Sequence, residues 1–339
     1  MDDKDLQQFY RDRPVCVTGG AGFIGSHLAE RLLRMGALVT VLDDLSGSDD
    51  SHPRAMGEKY GRQYRFLHGS ILDDEALAEA LDRAAAGKNG EKRGVVFHEA
   101  ALGSVPASLN DPFGYHRVNA EGTMRVCAAA TKAGVRRLVY AASSSAYGEQ
   151  PELPKVETQL PQPLSPYAQS KLAGEHILAV WAHCYGLSTV SLRYFNIFGP
   201  RQRADTAYAA VIAAFASALL DGREAVIYGD GGQTRDFTYI ENVISANLRA
   251  GATSMNLRGE VMNIGTGERI TINELYTLMA EYLGVEEKVR HDPPRAGDVR
   301  HSLADISLAR KLIGYAAPVS AREGLKPTVE WYRQQYEQS

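Results

Sequence analysis

The chain has 339 residues, room for one large domain or two of moderate size. Apolar residues make up 44% and charged residues 23%, which excludes a mainly disordered chain. The net charge of −4 is too small, and of the wrong sign, for a general binder of nucleic acid or of a membrane surface.

The opening segment, MDDKDLQQFYRDRP, is charged and has no apolar signal core. Residues 14–18 (PVCVT) form a short apolar run that reads as a buried strand, and 22–35 has helical periodicity. Residues 37–42 (ALVTVL) read as a second strand. A polar Gly/Ser/Asp stretch leads to a third at 64–68, then a helix at 73–84 and a strand at 94–98 (GVVFH). A long helix over 112–133, a strand at 136–141, another long helix over 165–185 and a strand at 187–193 complete the alternation. Short continuous apolar strands alternating with helices predict a parallel sheet covered on both faces, an α/β fold of doubly wound, Rossmann type. After about Asn196 the rhythm changes: a helix near 207–220, a strand at 225–228 and the Gly-rich GDGGQ open a smaller α/β part. The expected division is 1–195, with a return segment near 236–269, and 196–339, the two packed around a cleft.

Cys16, Cys127 and Cys184 form no CxxC pair and are odd in number, so the expectation is a reducing, cytoplasmic setting without disulfides. The longest nearly apolar run, 208–220, falls short of the ~18 residues that a bilayer span needs. The histidines show no HExxH or other metal-ligand spacing, and no metal is expected.

Two constellations carry chemistry. Between the first strand and the first helix lies TGGAGFIG, with Gly19, Gly22 and Gly25 at i, i+3 and i+6. Such a loop lets the backbone approach a pyrophosphate, which then meets free N–H groups at a helix N-terminus. Asp43 ends the next strand 18 residues after Gly25, near the spacing of a carboxylate that holds a ribose hydroxyl. That carboxylate repels a 2′-phosphate, so NAD is expected over NADP, and Asp44 strengthens the preference. The second constellation is Tyr167-x-x-x-Lys171. In a chain with 17 tyrosines the spacing alone says little. Its place says more: it opens the helix after a strand whose end carries Ser143-Ser144-Ser145. Residues i and i+4 share a helix face. A tyrosine with pKa near 10 is a poor base at neutral pH, and a nearby ammonium favours its phenolate. Arg235 and Arg295 follow turn-like segments in the second part and suit phosphates. No G-x-S-x-G accompanies the serines.

TGGAGFIG, the Ser-rich strand end followed by Tyr147-Gly148, YAQSK, Arg193-Tyr194-Phe195-Asn196, TRD at 234–236 and RAGDVR at 295–300 together resemble the extended short-chain dehydrogenase/reductases. Among these the chain is similar to NAD-dependent nucleotide-sugar 4-epimerases over nearly its whole length. The segments 100–112, 163–171 and 297–305 look closest to bacterial UDP-N-acetylglucosamine 4-epimerases of surface-polysaccharide pathways. The resemblance implies Tyr167 as catalytic base, Lys171 as its partner and ribose ligand, and Ser143 as catalytic serine, with Ser145 replacing it if the loop is aligned on the serine run. It implies NAD contacts from Gly19, Gly22, Phe23, Ile24, Gly25, Asp43, Ser70, Ile71, Ala100, Ala101, Asn119 and Tyr194. It implies contacts to the UDP-sugar from Gly103, Ser104, Ser144, Ser145, Asn196, Arg235, Arg295, Asp298 and Ser302. Ser70 departs from the family's usual Asp. Ser302 stands where epimerases restricted to plain hexoses tend to carry Tyr, so a pocket open to N-acetyl sugars, and also to plain hexoses, is expected. A uronic-acid substrate stays an alternative. A dehydratase or decarboxylase would want an acid just after the serine, where this chain has Ser144, Ser145 and Ala146. A non-catalytic NAD-binding regulator would tend to lose the Tyr or Lys. Pairing of the two long helices in a homodimer is the remaining expectation.

Overall fold

The computed structural model describes residues 1–85, 93–203, 211–294 and 300–338. Its centre is a seven-stranded, wholly parallel sheet. The strands are β1 (Pro14–Thr18), β2 (Leu38–Asp43), β3 (Tyr64–His68), β4 (Val95–His98), β5 (Arg137–Ser143), β6 (Thr189–Tyr194) and a last one, Arg258–Ile264. In space they run Arg258–Ile264, β6, β5, β4, β1, β2, β3. The order reverses between β1 and β4, and in open parallel sheets ligands bind at that switch, outside the carboxyl ends of the strands.

The near-continuous burial of β1, β2, β4, β5 and β6 explains why they read as unbroken apolar runs: helices cover both faces. These are α1 (Asp3–Tyr10), α2 (Phe23–Arg34), α3 (Ser51–Tyr60), α4 (Asp74–Asp82), α5 (Val105–Asn110), α6 (Pro112–His116), α7 (Gly122–Ala133) and α8 (Pro166–Tyr185). One expectation needs correction. The helix over 112–133 is not one α-helix: a π-turn over Arg117–Glu121 joins α6 to α7. It brings Asn119 inward, where its Oδ1 accepts from the Leu102 N–H at 2.8 Å and its Nδ2 donates to Ser170 Oγ at 3.0 Å. The polar stretch after β2 holds α3. The helix expected over 207–220 is observed as Val211–Leu220, its earlier residues lying outside the described ones.

Beyond β6 the chain builds small two-stranded pairs, Ala225–Tyr228 with Val289–Asp292 among them. It also returns to the main sheet. Helix Ile240–Ala252 packs on α1 and α2, and Arg258–Ile264 then adds beside β6. Among the described residues no helix is long and apolar enough to cross a membrane.

Candidate active site

A cleft of about 970 Å³ opens along the carboxyl edge of the sheet and extends under the segments after β6. Its cofactor side is made largely of backbone. Gly19 has φ +70°, and a Cβ there would lie 2.6 Å from the Ala100 nitrogen; a Cβ on Gly25 would lie 2.2 Å from the Gly19 oxygen. The turn therefore has to be glycine to bring β1, the N-terminus of α2 and the end of β4 together. Gly22, Phe23, Ile24, Ile71, Ala100 and Ala101 also line the cleft. Asp43 lies at its far wall, with Oδ2 accepting from the Ala21 N–H at 3.0 Å and Oδ1 from Leu45 N–H at 2.8 Å. The carboxylate is thus braced against the glycine loop.

His98, at the end of β4, ties this floor together. Its ring nitrogens bond Thr18 Oγ1 at 2.7 Å and Thr123 Oγ1 at 2.9 Å, and burial pushes its pKa down to about 3, so it stays neutral.

Tyr167 and Lys171 stand one turn apart on α8, whose first turn is capped by the Ser165 hydroxyl accepting from the Ala168 N–H at 3.1 Å. Burial raises the Tyr167 pKa above its ordinary value, and a hydrogen bond with Ser143 pulls it back. Ser143, the last residue of β5, lines the cleft with Tyr167, and Ser145 donates to Ser143 Oγ at 2.8 Å. Lys171 is buried, its Nζ 4.4 Å from the centre of the Tyr140 ring, and burial pushes its pKa down to about 8. Close packing sets this placement: a Cβ on Gly174 would lie 2.3 Å from the Tyr140 hydroxyl, so α8 sits tightly on β5.

Across the cleft stand Asn196, Arg235 and Ser302. Asn196 Nδ2 donates to the Asp236 carbonyl and to Ser302 Oγ, each at 3.1 Å. Arg235 Nη1 donates to the Thr234 and Arg300 carbonyls at 3.0 and 3.1 Å. Beneath them, buried Asp236 accepts from the N–H groups of Thr266, Gly267 and Ala304 and from the Thr266 hydroxyl, joining three loops.

Of the residues expected at the site, Gly103, Ser144 and Tyr194 also line the cleft. Ser70, Ser104 and Asn119 do not appear on its wall. Ser70 Oγ accepts from the Leu72 N–H at 3.3 Å, and Gly69 takes its place in the lining. Ser104 caps α5 by accepting from the Ala107 N–H at 3.2 Å, and Asn119 is buried beneath Leu102. Arg295 and Asp298 lie outside the described residues. Sequence reasoning missed Tyr115, whose ring meets Tyr167 edge-on at 6.4 Å and whose hydroxyl accepts from the Ser104 N–H at 3.1 Å. Its signal was its place four residues before Asn119, on the same helical face. It also missed Glu99, the acid in HEAA directly after a buried strand.

The model of the NAD dependent epimerase/dehydratase family matches residues 15–265, and the chain belongs to that family. It is 38% identical to a UDP-glucose 4-epimerase of Mycolicibacterium smegmatis, over 94% of this chain and 97% of the relative. Among solved structures, it is similar to a UDP-N-acetylglucosamine 4-epimerase of Methanobrevibacter ruminantium in complex with UDP-N-acetylmuramic acid (TM-score 0.85, 35% identity, 96% of this chain and 99% of that one). It is equally similar in shape to a UDP-glucuronic acid 4-epimerase of Bacillus cereus in complex with UDP-glucuronic acid and NAD (TM-score 0.85, 31% identity, 95% and 100%). NAD is the cofactor, and the glycine cradle with Asp43 braced behind it fits a dinucleotide at the switch point.

Proposed function

We propose that this enzyme inverts C4 of UDP-sugars, interconverting UDP-GlcNAc with UDP-GalNAc and also UDP-Glc with UDP-Gal. The reading rests above all on Tyr167, Lys171 and Ser143 lining one cleft at the sheet's carboxyl edge, together with the glycine cradle and the Asn196–Ser302 pair. When bound, NAD supplies reversible oxidation at the sugar carbon. Tyr167 takes the proton of the C4 hydroxyl, and Ser143 hydrogen-bonds the same oxygen. Lys171 lends the positive charge that an otherwise raised phenol pKa requires. Lowering a phenol from 10 to neutrality takes roughly 4 kcal/mol, the scale of nearby cations in a dry cleft.

A 4-keto sugar has to turn over between two halves of such a reaction, which needs room around the ring and a firm hold on the diphosphate. Gly103 has open space around its Cβ position. Ser302 brings a short hydroxyl to the wall where a phenol ring would fill the space of a 2-acetamido group. Arg235, Asn196, Arg295 and Asp298 are assigned to the UDP group. In this reading 1–195 with its return segment holds NAD, and 196–339 holds the UDP-sugar.

The sequence after Ser143 (Ser144, Ser145, Ala146) carries no acid, against elimination or decarboxylation. Glu99, an acid of the cleft just after β4, has its Oε1 engaged by Tyr194 at 2.9 Å. A uronic-acid substrate draws support from the Bacillus cereus neighbour. Incubating the protein with UDP-GlcNAc, UDP-Glc and UDP-glucuronic acid, then separating the epimers, tests the reading. Epimers from the first two are expected; product from the uronic acid alone would replace the substrate assignment, and none from any would overturn the activity.

A homodimer belongs to the same reading. Phe113 and Met124 on the segment 112–133, and Val180 and Tyr185 on α8, are exposed large apolar side chains on the two helical stretches expected to pair. Sedimentation at micromolar concentration is expected to give about twice 37.0 kDa.

A further inference from the structure

Thr18 of β1, His98 of β4, Asn119 of the π-turn, Thr123 of α7 and Ser170 of α8 are all buried. None of them lines the cleft, although their neighbours Gly19, Ala100, Tyr167 and Lys171 do. Their polar atoms form one continuous chain of hydrogen bonds, and its directions can be worked out bond by bond.

The Thr123 hydroxyl has a single proton, and it goes to the Asn119 carbonyl at 2.6 Å. Thr123 Oγ1 is therefore the acceptor for His98 Nε2 at 2.9 Å, which places the ring proton on Nε2. The buried ring is neutral, so Nδ1 is bare and accepts from the Thr18 hydroxyl at 2.7 Å. Thr18 Oγ1 in turn faces the Ala100 N–H at 3.5 Å. On the other side, Asn119 Nδ2 donates to Ser170 Oγ at 3.0 Å and to the Leu102 carbonyl at 3.1 Å. The Ser170 hydroxyl then donates to the Tyr167 carbonyl at 2.8 Å.

The chain thus runs from the glycine turn, where Gly19 packs on Ala100, to the turn of α8 that bears Tyr167. A ring that only filled space would not need two directional bonds, one accepted and one donated. A buried network with every member paired is rigid, because water does not compete for its bonds. Rigidity matters here: a displacement of about 1 Å between reacting groups can cost about 100-fold in rate.

We propose that His98, held as the Nε2–H tautomer, is a positioning residue that locks the dinucleotide turn at Thr18–Gly19 to the turn of α8 carrying Tyr167. Its effect on turnover rests on the role given above to Tyr167. The ring has two arms. The Nδ1 arm steadies the seat of NAD, and the Nε2 arm steadies the base.

Two substitutions cut the arms separately. In His98→Asn the side-chain oxygen takes the place of Nδ1 and still accepts from Thr18, while Thr123 loses its donor. In His98→Gln the side-chain amide reaches the place of Nε2 and still donates to Thr123, while Thr18 loses its acceptor. A lost hydrogen bond of this kind corresponds to about tenfold at most. The Asn variant is expected to keep the parent's NAD content and lose about tenfold in kcat on UDP-GlcNAc or UDP-Glc. The Gln variant is expected to bind NAD about tenfold more weakly by calorimetry, with kcat at saturating NAD within about twofold of the parent. Thr123→Val preserves volume and keeps the ring, so it should repeat the Asn pattern even if both His98 variants fold poorly. In 15N-histidine-labelled parent protein, the His98 resonances, identified by their loss in His98→Asn, should show the proton on Nε2 throughout pH 6–8. This readout and the NAD measurement need no turnover, so they test the relay even if those sugars prove not to be substrates. A proton on Nδ1, equal losses of NAD binding and turnover in both His98 variants, or no loss in either would overturn the proposal.

Discussion

Gly19 and Asn196 both follow strands at the carboxyl edge of one sheet, and both have positive φ, +70° and +31°. They use that conformation in opposite ways. At Gly19 the backbone itself is the contact surface, and a single added carbon would meet Ala100 at 2.6 Å. At Asn196 the side chain is the surface, spanning to Asp236 and Ser302. At the glycine loop the cleft wall is thus backbone that admits no added carbon, whereas at Asn196 and Ser302 it is built from side chains. A backbone-built site fixes one ligand; a side-chain-built site can change ligand by substitution without disturbing the fold.

The hardest test of this contrast is Gly25→Ala. Its methyl would stand 2.2 Å from the Gly19 oxygen, backbone that has nowhere to go. Overpacking typically costs about 1–3 kcal/mol, and this contact falls at the upper end. The variant should purify without the NAD that the parent is expected to carry unaided, and should melt well below it; full NAD content would break the comparison. Next comes Tyr167→Phe, which removes the titrating hydroxyl and keeps the ring. Turnover should fall at least about 100-fold, the scale of general acid–base catalysis, with NAD content unchanged by absorbance. Near-normal turnover rejects the site.

On the other side, Ser302→Tyr should abolish UDP-GlcNAc turnover, a loss of at least tenfold by steric exclusion on the scale of about 1–3 kcal/mol, and spare UDP-Glc within a few fold. Equal retention of both would move the wall elsewhere. The smallest effect is expected for Asp43→Asn. The Ala21 and Leu45 N–H groups keep an amide oxygen to bond, so the loop should stand. Only the repulsion of a 2′-phosphate is relieved, and the ratio of NADP to NAD binding by calorimetry should rise about tenfold. An unchanged ratio would take cofactor choice away from this carboxylate.

The same contrast governs what could be read from the sequence. The glycine loop is legible because close backbone approach admits one residue type, so spacing carries the geometry. The parallel sheet is legible because strands buried on both faces must be apolar throughout. The resemblance implies ligand contacts from Asn119 and Ser104; in the structure the Ser104 hydroxyl caps α5, and the Asn119 amide bonds Leu102 and Ser170. Sequence spacing gives a side chain's neighbourhood, not the partner it selects. The π-turn at 117–121 has no composition signal of its own, and it decides that Asn119 points inward. Glu99 and Tyr115 act through pairings across 95 and 11 residues, with Tyr194 and Ser104, that no local pattern encodes.

The placement of Arg258–Ile264 beside β6 bears on how the chain reaches its native state. During synthesis six strands of the sheet are available well before the seventh, while β6 pairs with β5 alone and leaves its other edge open. Every main-chain donor and acceptor on that edge is a template for the wrong partner until residue 264 has left the ribosome. Tyr194, at the end of β6, registers with Ile264, and its hydroxyl is held by Asn247 from the same late segment. The enzyme's productive geometry is therefore completed by a long-range closure, the slow kind. Truncation between β6 and that strand should yield a chain with its nucleotide loop encoded in full and an aggregation-prone edge in place of a finished catalyst.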